Sequence, residues 1–387
     1  MWYFVSPQVI FGEDALEALS DLTGSRAFIV TDENLIKLGV AEKVRDRLLK
    51  AGMDTCFFRS VEPDPSVQTV LQGKQAALDY QPDWIIGLGG GSCMDAAKAI
   101  WVLYERPDLD PKEINPLITL GLRKKARLIT IPTTSGTGAE VTWAIVLTDT
   151  DEQRKLGLGN RENVADIAII DPTLAAGMPA QLTADTGLDA LTHAIEGYTC
   201  TWHSDLTDGM CLQAASLVFE YLPRAITDPQ DMEARERMHN AATCAGLGFG
   251  NAMASLAHAM GHTIGSIFHI PHGKAVGLAL PYTIEFASAV DPSRFARLVA
   301  VIGCSQEQGE KAGRELADSI RRLCRQIGEP TSFREAGIQR SLFEENLDKL
   351  VEDAFCDTQI LTAVRMPDFD ELSRLFIYAY EGRPVDF

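Results

Sequence analysis

Four things are missing from this 387-residue chain. Its eight cysteines (Cys56, Cys93, Cys200, Cys211, Cys244, Cys304, Cys324, Cys356) are scattered and include no C-x-x-C pair, so neither a disulfide framework nor a zinc ribbon is signalled. Nowhere do about 18 uncharged apolar residues run together, as a membrane-spanning helix requires. The N-terminal "MWYFVSPQVIFGEDAL" lacks the basic start and sustained apolar centre of a secretory signal. Nor is there a Lys/Arg run that would neutralise a phosphate backbone, and a formal charge of −19 opposes nucleic-acid binding. The expectation is a cytoplasmic protein without a nucleic-acid or membrane partner, its acidity serving solubility.

What is present is a long chain, 46% hydrophobic, beyond the roughly 250–300 residues at which single cores divide. The first 175 residues alternate strand-length apolar runs with helical patterns. The runs are 26–32, 54–61, 84–92, 126–134 and 164–172. Those near Ile85, Ile131 and Ile169 do not alternate, as parallel strands buried on both faces do not. Between the second and third, Ser66 caps a helix running to Leu78. Beyond residue 181 only 3.6-period segments occur, such as Asp205 to Leu222, Asp231 to Cys244 and Glu307 to Ile327. The Pro/Gly-rich stretch Asp171 to Pro179 therefore divides an α/β, doubly wound, Rossmann-like domain (1–178) from an all-α domain (179–387).

In "WIIGLGGGSCMDAAKAI" a strand ends in Gly87, Gly89, Gly90 and Gly91, and Ser92 opens a helix whose first turn carries Asp95. Glycines let a ligand approach the backbone, and the N–H groups of a helix start favour phosphate. The pattern departs from G-x-G-x-x-G, which would need glycine at 92. "IPTTSGTGAEVT" follows another strand with Thr133, Thr134, Ser135, Thr137 and Thr142, a hydroxyl-rich loop suited to polar ligands. Asp32 ends the first of the five runs, where a carboxylate accepts bonds from ribose hydroxyls and repels a 2′-phosphate, favouring NAD over NADP. Three such features at strand ends make a dinucleotide site.

Asp189 and His193 in "GLDALTHAIEGY" are spaced i, i+4, about 6 Å apart on one helical face. Their neighbours Leu188, Ala190, Leu191, Ala194 and Ile195 are apolar, so the pair calls for a compensating cation. Four of the seven histidines fall in "ASLAHAMGHTIGSIFHIPHG": His258, His262, His269 and His272. On one unbroken helix His258 and His272 would lie roughly 21 Å apart. Pro271 argues against that helix and lets the chain turn back. The second ligand pair is therefore His258/His262, His258/His272 or His262/His272, and spacing does not choose. Three histidines and one carboxylate suit iron(II) or zinc, whereas calcium wants more oxygens. His269, between Phe268 and Ile270, reads as a packed core or pocket-wall residue; His203 and His239, in polar surroundings, read as surface residues.

Seven motifs, "TDENL", "PDP", "GGGSCMDAAK", "PTTSGTGAEVT", "GMP", "GLDALTHAIEGY" and "HAMGHTIGSIFHIPHG", occur in an order and spacing that resembles the iron-containing (group III) alcohol dehydrogenases. The resemblance covers nearly the whole chain. It implies a dehydroquinate synthase-like architecture with cofactor and metal in the cleft between two domains. It implies that Asp189, His193, His258 and His272 hold the metal, Fe2+ with Zn2+ as the other option, and that His262 lies outside the ligand set. It assigns Asp32 to the adenosine ribose with Asp64 beside it, and Gly90, Gly91 and Ser92 to the pyrophosphate of NAD(H). Asp95, Thr133, Thr134, Thr137, Thr142 and Lys155 line the rest of that groove. Trp143, Ala144, Phe249, Ala254 and Cys356 fall where the family lines its substrate pocket. Asp64 stands where an Asn is common, and Ala144 is small at a position that can be polar.

The implied activity is reversible hydride transfer between nicotinamide and a small primary alcohol or aldehyde, by a homodimer or higher homo-oligomer. The metal acts as Lewis acid, and His262 either relays the proton or orients cofactor or substrate. The alternative is a metal- and NAD-dependent lyase of the dehydroquinate synthase type. That reaction needs several Lys/Arg to grip a phosphorylated sugar acid, and the metal-binding stretches offer only Lys274. A catalytically silent NAD-binding protein is the third reading, opposed by retention of all four ligand types.

Overall fold

The computed structural model describes residues 3–152, 154–303 and 311–387; Cys304 and the expected helix start at 307–310 lie outside the described residues. The chain divides into two compact units, Met1–Gly177 and Met178–Phe387.

Unit 1 holds, in order, β1 (Gln8–Phe11), β2 (Arg26–Val30), α1 (Glu33–Lys37), α2 (Val40–Lys50), β3 (Asp54–Phe58), α3 (Val67–Tyr80), β4 (Trp84–Gly89), α4 (Gly91–Glu105), β5 (Arg127–Pro132), β6 (Ala144–Asp149), β7 (Arg154–Gly159) and β8 (Ile167–Ile170). Six strands form a parallel sheet in the order β1-β8-β5-β4-β2-β3. Side chains alternate between two apolar layers: Phe28, Val30 and Ile85 pack with α3 and α4, while Ala27, Ile29, Ile86 and Leu88 pack with α2. Burial on both faces is why these strands read as unbroken apolar runs. Strand order reverses between β2 and β4, the topological switch point outside which ligands bind in open α/β sheets. β1 and the antiparallel hairpin β6–β7 are additions to the five strands expected from sequence; β1 has only four residues.

Unit 2 is helical throughout its described residues: α5 (Ala180–Thr199), α6 (Asp205–Thr227), α7 (Met232–Phe249), α8 (Leu256–Phe268), α9 (His272–Ala287), α10 (Pro292–Val301), α11 (Lys311–Gln326), α12 (Arg340–Cys356) and α13 (Phe369–Glu381). One apolar core runs through it. No described helix is long and apolar enough to cross a membrane. Two histidines lie elsewhere than their sequence neighbours suggest. His239 is 1% exposed, because it shares the inward face of α7 with Arg235, Met238 and Ala242, whatever its polar sequence neighbours suggest. His269 is exposed, which excludes the packed-core alternative: it ends α8 in the left-handed region, φ 55°.

The seat of α4 on β4 depends on Gly87, where a Cβ would lie 2.8 Å from Ala97 Cβ and 3.2 Å from Met94 Cα. Gly87→Ala is expected to destabilise the protein by about 1–3 kcal/mol through overpacking, read as a lower urea midpoint; an unchanged midpoint would contradict this close approach.

Candidate functional site

Each unit carries one candidate site. In unit 1, β4 closes on Gly89 at φ 147°, Gly90 takes the N-cap position of α4, and no side chain caps that helix. Its first-turn N–H groups therefore point out uncapped, as a phosphate site requires. The loop after β5 lies against this turn. Thr133 N donates to Gly89 O at 3.0 Å, and a Cβ on Gly91 would come within 3.1 Å of Thr137 Cγ2, one on Gly90 within 3.5 Å of Thr134. Ser92 Oγ accepts from Asp64 N at 3.3 Å. Asp64 in turn pairs with Lys155 at 2.7 Å and accepts at its carbonyl from Thr148 Oγ1. Asp32 caps α1, accepting from Asn34 N and Leu35 N through Oδ1, and its Oδ2 sits 3.6 Å from Cys93 Sγ in the first turn of α4. The carboxylate at the end of β2 and the cradle at the end of β4 thus adjoin at the switch point.

Two expected cofactor residues face inward instead of presenting free side chains. Asp95 Oδ2 accepts from Val146 N at 2.9 Å, and its Oδ1 lies 3.5 Å from Lys98 Nζ. Lys98, fully buried and not noticed in the sequence, also donates to Ala144 O (2.9 Å) and to Thr142 Oγ1 (3.4 Å). Burial pushes the Asp95 carboxyl up against the opposing pull of Lys98. This network fastens α4 to β6, which begins at Ala144 beside half-buried Trp143.

In unit 2, α5 carries Asp189 and His193 one turn apart, α8 carries His258, and His272 is the first residue of α9. The chain leaves α8 at the left-handed His269 and re-enters a helix after Pro271, which brings His272 back toward His258. From Asp189 Oδ1 the distances are 3.4 Å to His272 Nε2, 3.7 Å to His193 Nδ1 and 3.9 Å to His258 Nε2. One donor atom from each residue lies within 4.8 Å of all the others. The separations from Asp189 Oδ1 are near those of donors that share one small cation, so the four residues would fit such an ion. Asp189 Oδ1 and His258 Nε2 are buried and accept or donate no hydrogen bond, an arrangement a bound cation resolves. Burial alone would raise the Asp189 carboxyl; the His193 and His272 imidazoles outweigh it and hold the group well below the usual carboxylate range.

Sequence reasoning missed Glu196. It lies 4% exposed on α5, one turn beyond His193, and His258 Nδ1 donates to its Oε2 at 2.5 Å. Ser255 N and Ala257 N donate to the same carboxylate. Burial would lower the His258 imidazole, but Glu196 overrides it and raises it. With Nδ1 committed to Glu196, Nε2 faces the other donors, the carboxylate–histidine arrangement that orients metal ligands. The available signal was a Glu in an otherwise apolar helix. Asp357 was missed as well: His262 Nδ1 donates to its Oδ2 at 2.7 Å. Packing pushes His262 below its ordinary value, against the raising pull of Asp357. The His262 ring stands 5.3 Å from that of His272. Of the expected pocket residues in this unit, Phe249 stacks on His193 with centroids 3.8 Å apart, Ala254 is buried, and Cys356 is an exposed thiol beside Asp357.

A parallel sheet with a glycine-lined turn at its switch point, joined in sequence to a helical unit with a His₃Asp cluster, is the architecture of the dehydroquinate synthase-like class. Comparison with known proteins narrows the class. Residues 6–172 match the family described as iron-containing alcohol dehydrogenase, and residues 183–380 match the Fe-containing alcohol dehydrogenase family, C-terminal. The chain is 39% identical over 390 residues to the NADPH-dependent butanol dehydrogenase of Clostridium saccharobutylicum, covering 100% of both. A crystal structure of 1,3-propanediol oxidoreductase superposes with a TM-score of 0.91 at 31% identity, covering 98% of this chain and 100% of that one. Sulfoacetaldehyde reductase from Bifidobacterium kashiwanohense in complex with NAD+ superposes with a TM-score of 0.88 at 28% identity, covering 98% of each. The chain belongs to the iron-containing alcohol dehydrogenase family. It is an oxidoreductase of the alcohol dehydrogenase and aldehyde reductase type, in a family that uses NAD(H) and Fe2+.

Because Glu196 orients His258, Glu196→Gln, which keeps the shape and removes the charge, is expected to weaken metal binding by about 10–100-fold. Competition with a chelating dye measures this; wild-type affinity in the variant would remove Glu196 from the centre.

Proposed function

We propose that this chain interconverts a small primary alcohol and its aldehyde, with NAD(H) held by unit 1 and a divalent ion, iron(II) with zinc as the other option, held by Asp189, His193, His258 and His272. The observation that carries the reading is the convergence of three imidazoles from three helices on one buried carboxylate oxygen that has no hydrogen bond of its own. When bound, the ion acidifies a substrate hydroxyl or polarises a carbonyl, and the nicotinamide exchanges the hydride. Glu196 keeps the proton of His258 on Nδ1. His262, whose Nδ1 donates to Asp357, has Nε2 left to accept the substrate proton and return it in the reverse direction. Phe249, stacked on His193, excludes water from one side of the centre.

Lys274 does not favour the lyase alternative: its ammonium is engaged by Glu329 at 3.1 Å and Asp185 at 3.6 Å, leaving it unsuited to gripping a phosphate. For the cofactor, the butanol dehydrogenase relative is named for NADPH. Asp32 supports NAD(H) here, since its charge repels a 2′-phosphate. The family resemblance supports a homodimer or higher homo-oligomer, which sedimentation velocity measures. The free thiols of Cys56, Cys93, Cys200, Cys211, Cys244, Cys324 and Cys356 suit a reducing cytoplasm.

The deciding experiment is turnover of short-chain aldehydes and alcohols, followed by NADH absorbance, with enzyme reconstituted separately with iron(II) and zinc. Activity with at least one metal is expected, and none across the panel from metal-replete enzyme would overturn the reading. His272→Ala is expected to lower both metal affinity and kcat/KM by more than about 100-fold; a metal-replete, active variant excludes His272 as a ligand. Asp32→Asn retains the helix cap but drops the charge, so the NADP(H)-to-NAD(H) ratio of kcat/KM should rise about tenfold, equivalent to about 1.4 kcal/mol. An unchanged ratio would count against the ribose role.

A further inference from the structure

The four donors are not equally held. The side chains of Asp189, His193 and His258 are 3%, 6% and 4% exposed, whereas that of His272 is 40% exposed. Glu196 pins His258 and Phe249 stacks on His193. His272 sits at the first position of α9, where Pro271 is the N-cap and no side chain caps the helix, so its place is set by how the first turn of α9 docks.

Two features fix that docking. The first is close backbone approach. A Cβ on Gly273 would stand 2.0 Å from Asp185 O and 3.0 Å from Asp189 Cβ; one on Gly277 would stand 2.9 Å from Leu188 Cβ. On the other side, a Cβ on Gly261 of α8 would lie 2.6 Å from Val276 Cγ1 and 2.8 Å from Val276 N. The start of α9 is therefore wedged between α5 and α8 at distances that only glycine permits. The second is an ionic tie. Lys274 Nζ reaches Glu329 Oε2 (3.1 Å) beyond the end of α11 and Asp185 Oδ1 (3.6 Å) on α5. Gln181 Nε2 donates to both carboxylates, at 2.7 Å and 3.1 Å. Glu329 is 6% exposed and Asp185 7%, so loss of the lysine would leave buried charge unpaired and loosen the turn it holds.

Resting on the metal reading above, we propose that Gly273 and Lys274 are positioning residues that latch His272 onto a preformed three-ligand site, and that this latch governs how fast the metal leaves. Asp189, His193 and His258 make a buried tripod; His272 closes it from the exposed side. The ion enters and departs on the side that His272 covers.

The test uses wild type, Lys274→Met, His272→Ala and the double variant, each loaded with zinc or cobalt(II). Release into excess chelator gives the rate, and competition with a chelating dye gives the affinity. Lys274→Met is expected to release metal about tenfold faster or more, in line with the cost of losing a ligand-orienting partner. In the His272→Ala background the same substitution should leave metal affinity unchanged, since the ligand it controls is gone. Release at the wild-type rate overturns the latch, and so does an equal loss of affinity in the two backgrounds. If Lys274→Met does not fold, the triple variant Lys274→Met, Asp185→Asn, Glu329→Gln removes the buried charges together and carries the same expectation. Failure of the metal reading is distinguishable, because the wild type would then take up no ion at these four residues.

Discussion

The helical unit is organised around one buried anion. Asp189 is 2% exposed in the interior of α5, and a carboxylate taken from water into such surroundings is unfavourable unless cationic or hydrogen-bonding groups are brought to it. Three imidazoles converge on it from α5, α8 and α9, and a fourth group, Glu196, steadies one of them. The break between α8 and α9, the glycines that let those helices touch, and the stacking of Phe249 all follow from placing rigid rings within bonding distance of one oxygen. In a core this tightly packed, small displacements at any of these points would be felt at the donors.

Much of this arrangement was legible in the chain. Parallel strands such as β4 and β5, buried on both faces, announce themselves by apolar runs without alternation. The i, i+4 pair Asp189 and His193 needs only helix geometry. The partner pair did not yield to spacing, because the turn between α8 and α9 depends on the left-handed backbone of His269, which no local pattern dictates. Resemblance to a family chose His258 and His272, and the structure brings those two to Asp189 while setting His262 one turn away against Asp357. His239 and His269 depart from expectation for one reason: the inward face of α7 buries His239 despite its polar neighbours, and the left-handed backbone exposes His269 despite its apolar ones.

The side chains that sequence reasoning passed over are those whose partners lie far along the chain. Glu196 meets His258 across 62 residues and Asp357 meets His262 across 95. Lys98 reads as an ordinary helical lysine until the strand beginning at Ala144 is laid against α4. Such contacts are tertiary in origin, and they orient or anchor the groups that local motifs reveal.

The donors at residues 189, 193, 258 and 272 also bear on how the protein acquires its structure. Their side chains come from three separate helices, so the donor set exists only where α5, α8 and α9 are packed together. A ligand that binds the folded unit and not the unfolded chain stabilises it by mass action, so occupancy of these donors would raise the stability of the helical unit. Metal supply would then set how much of the chain is folded as well as how much of it is loaded.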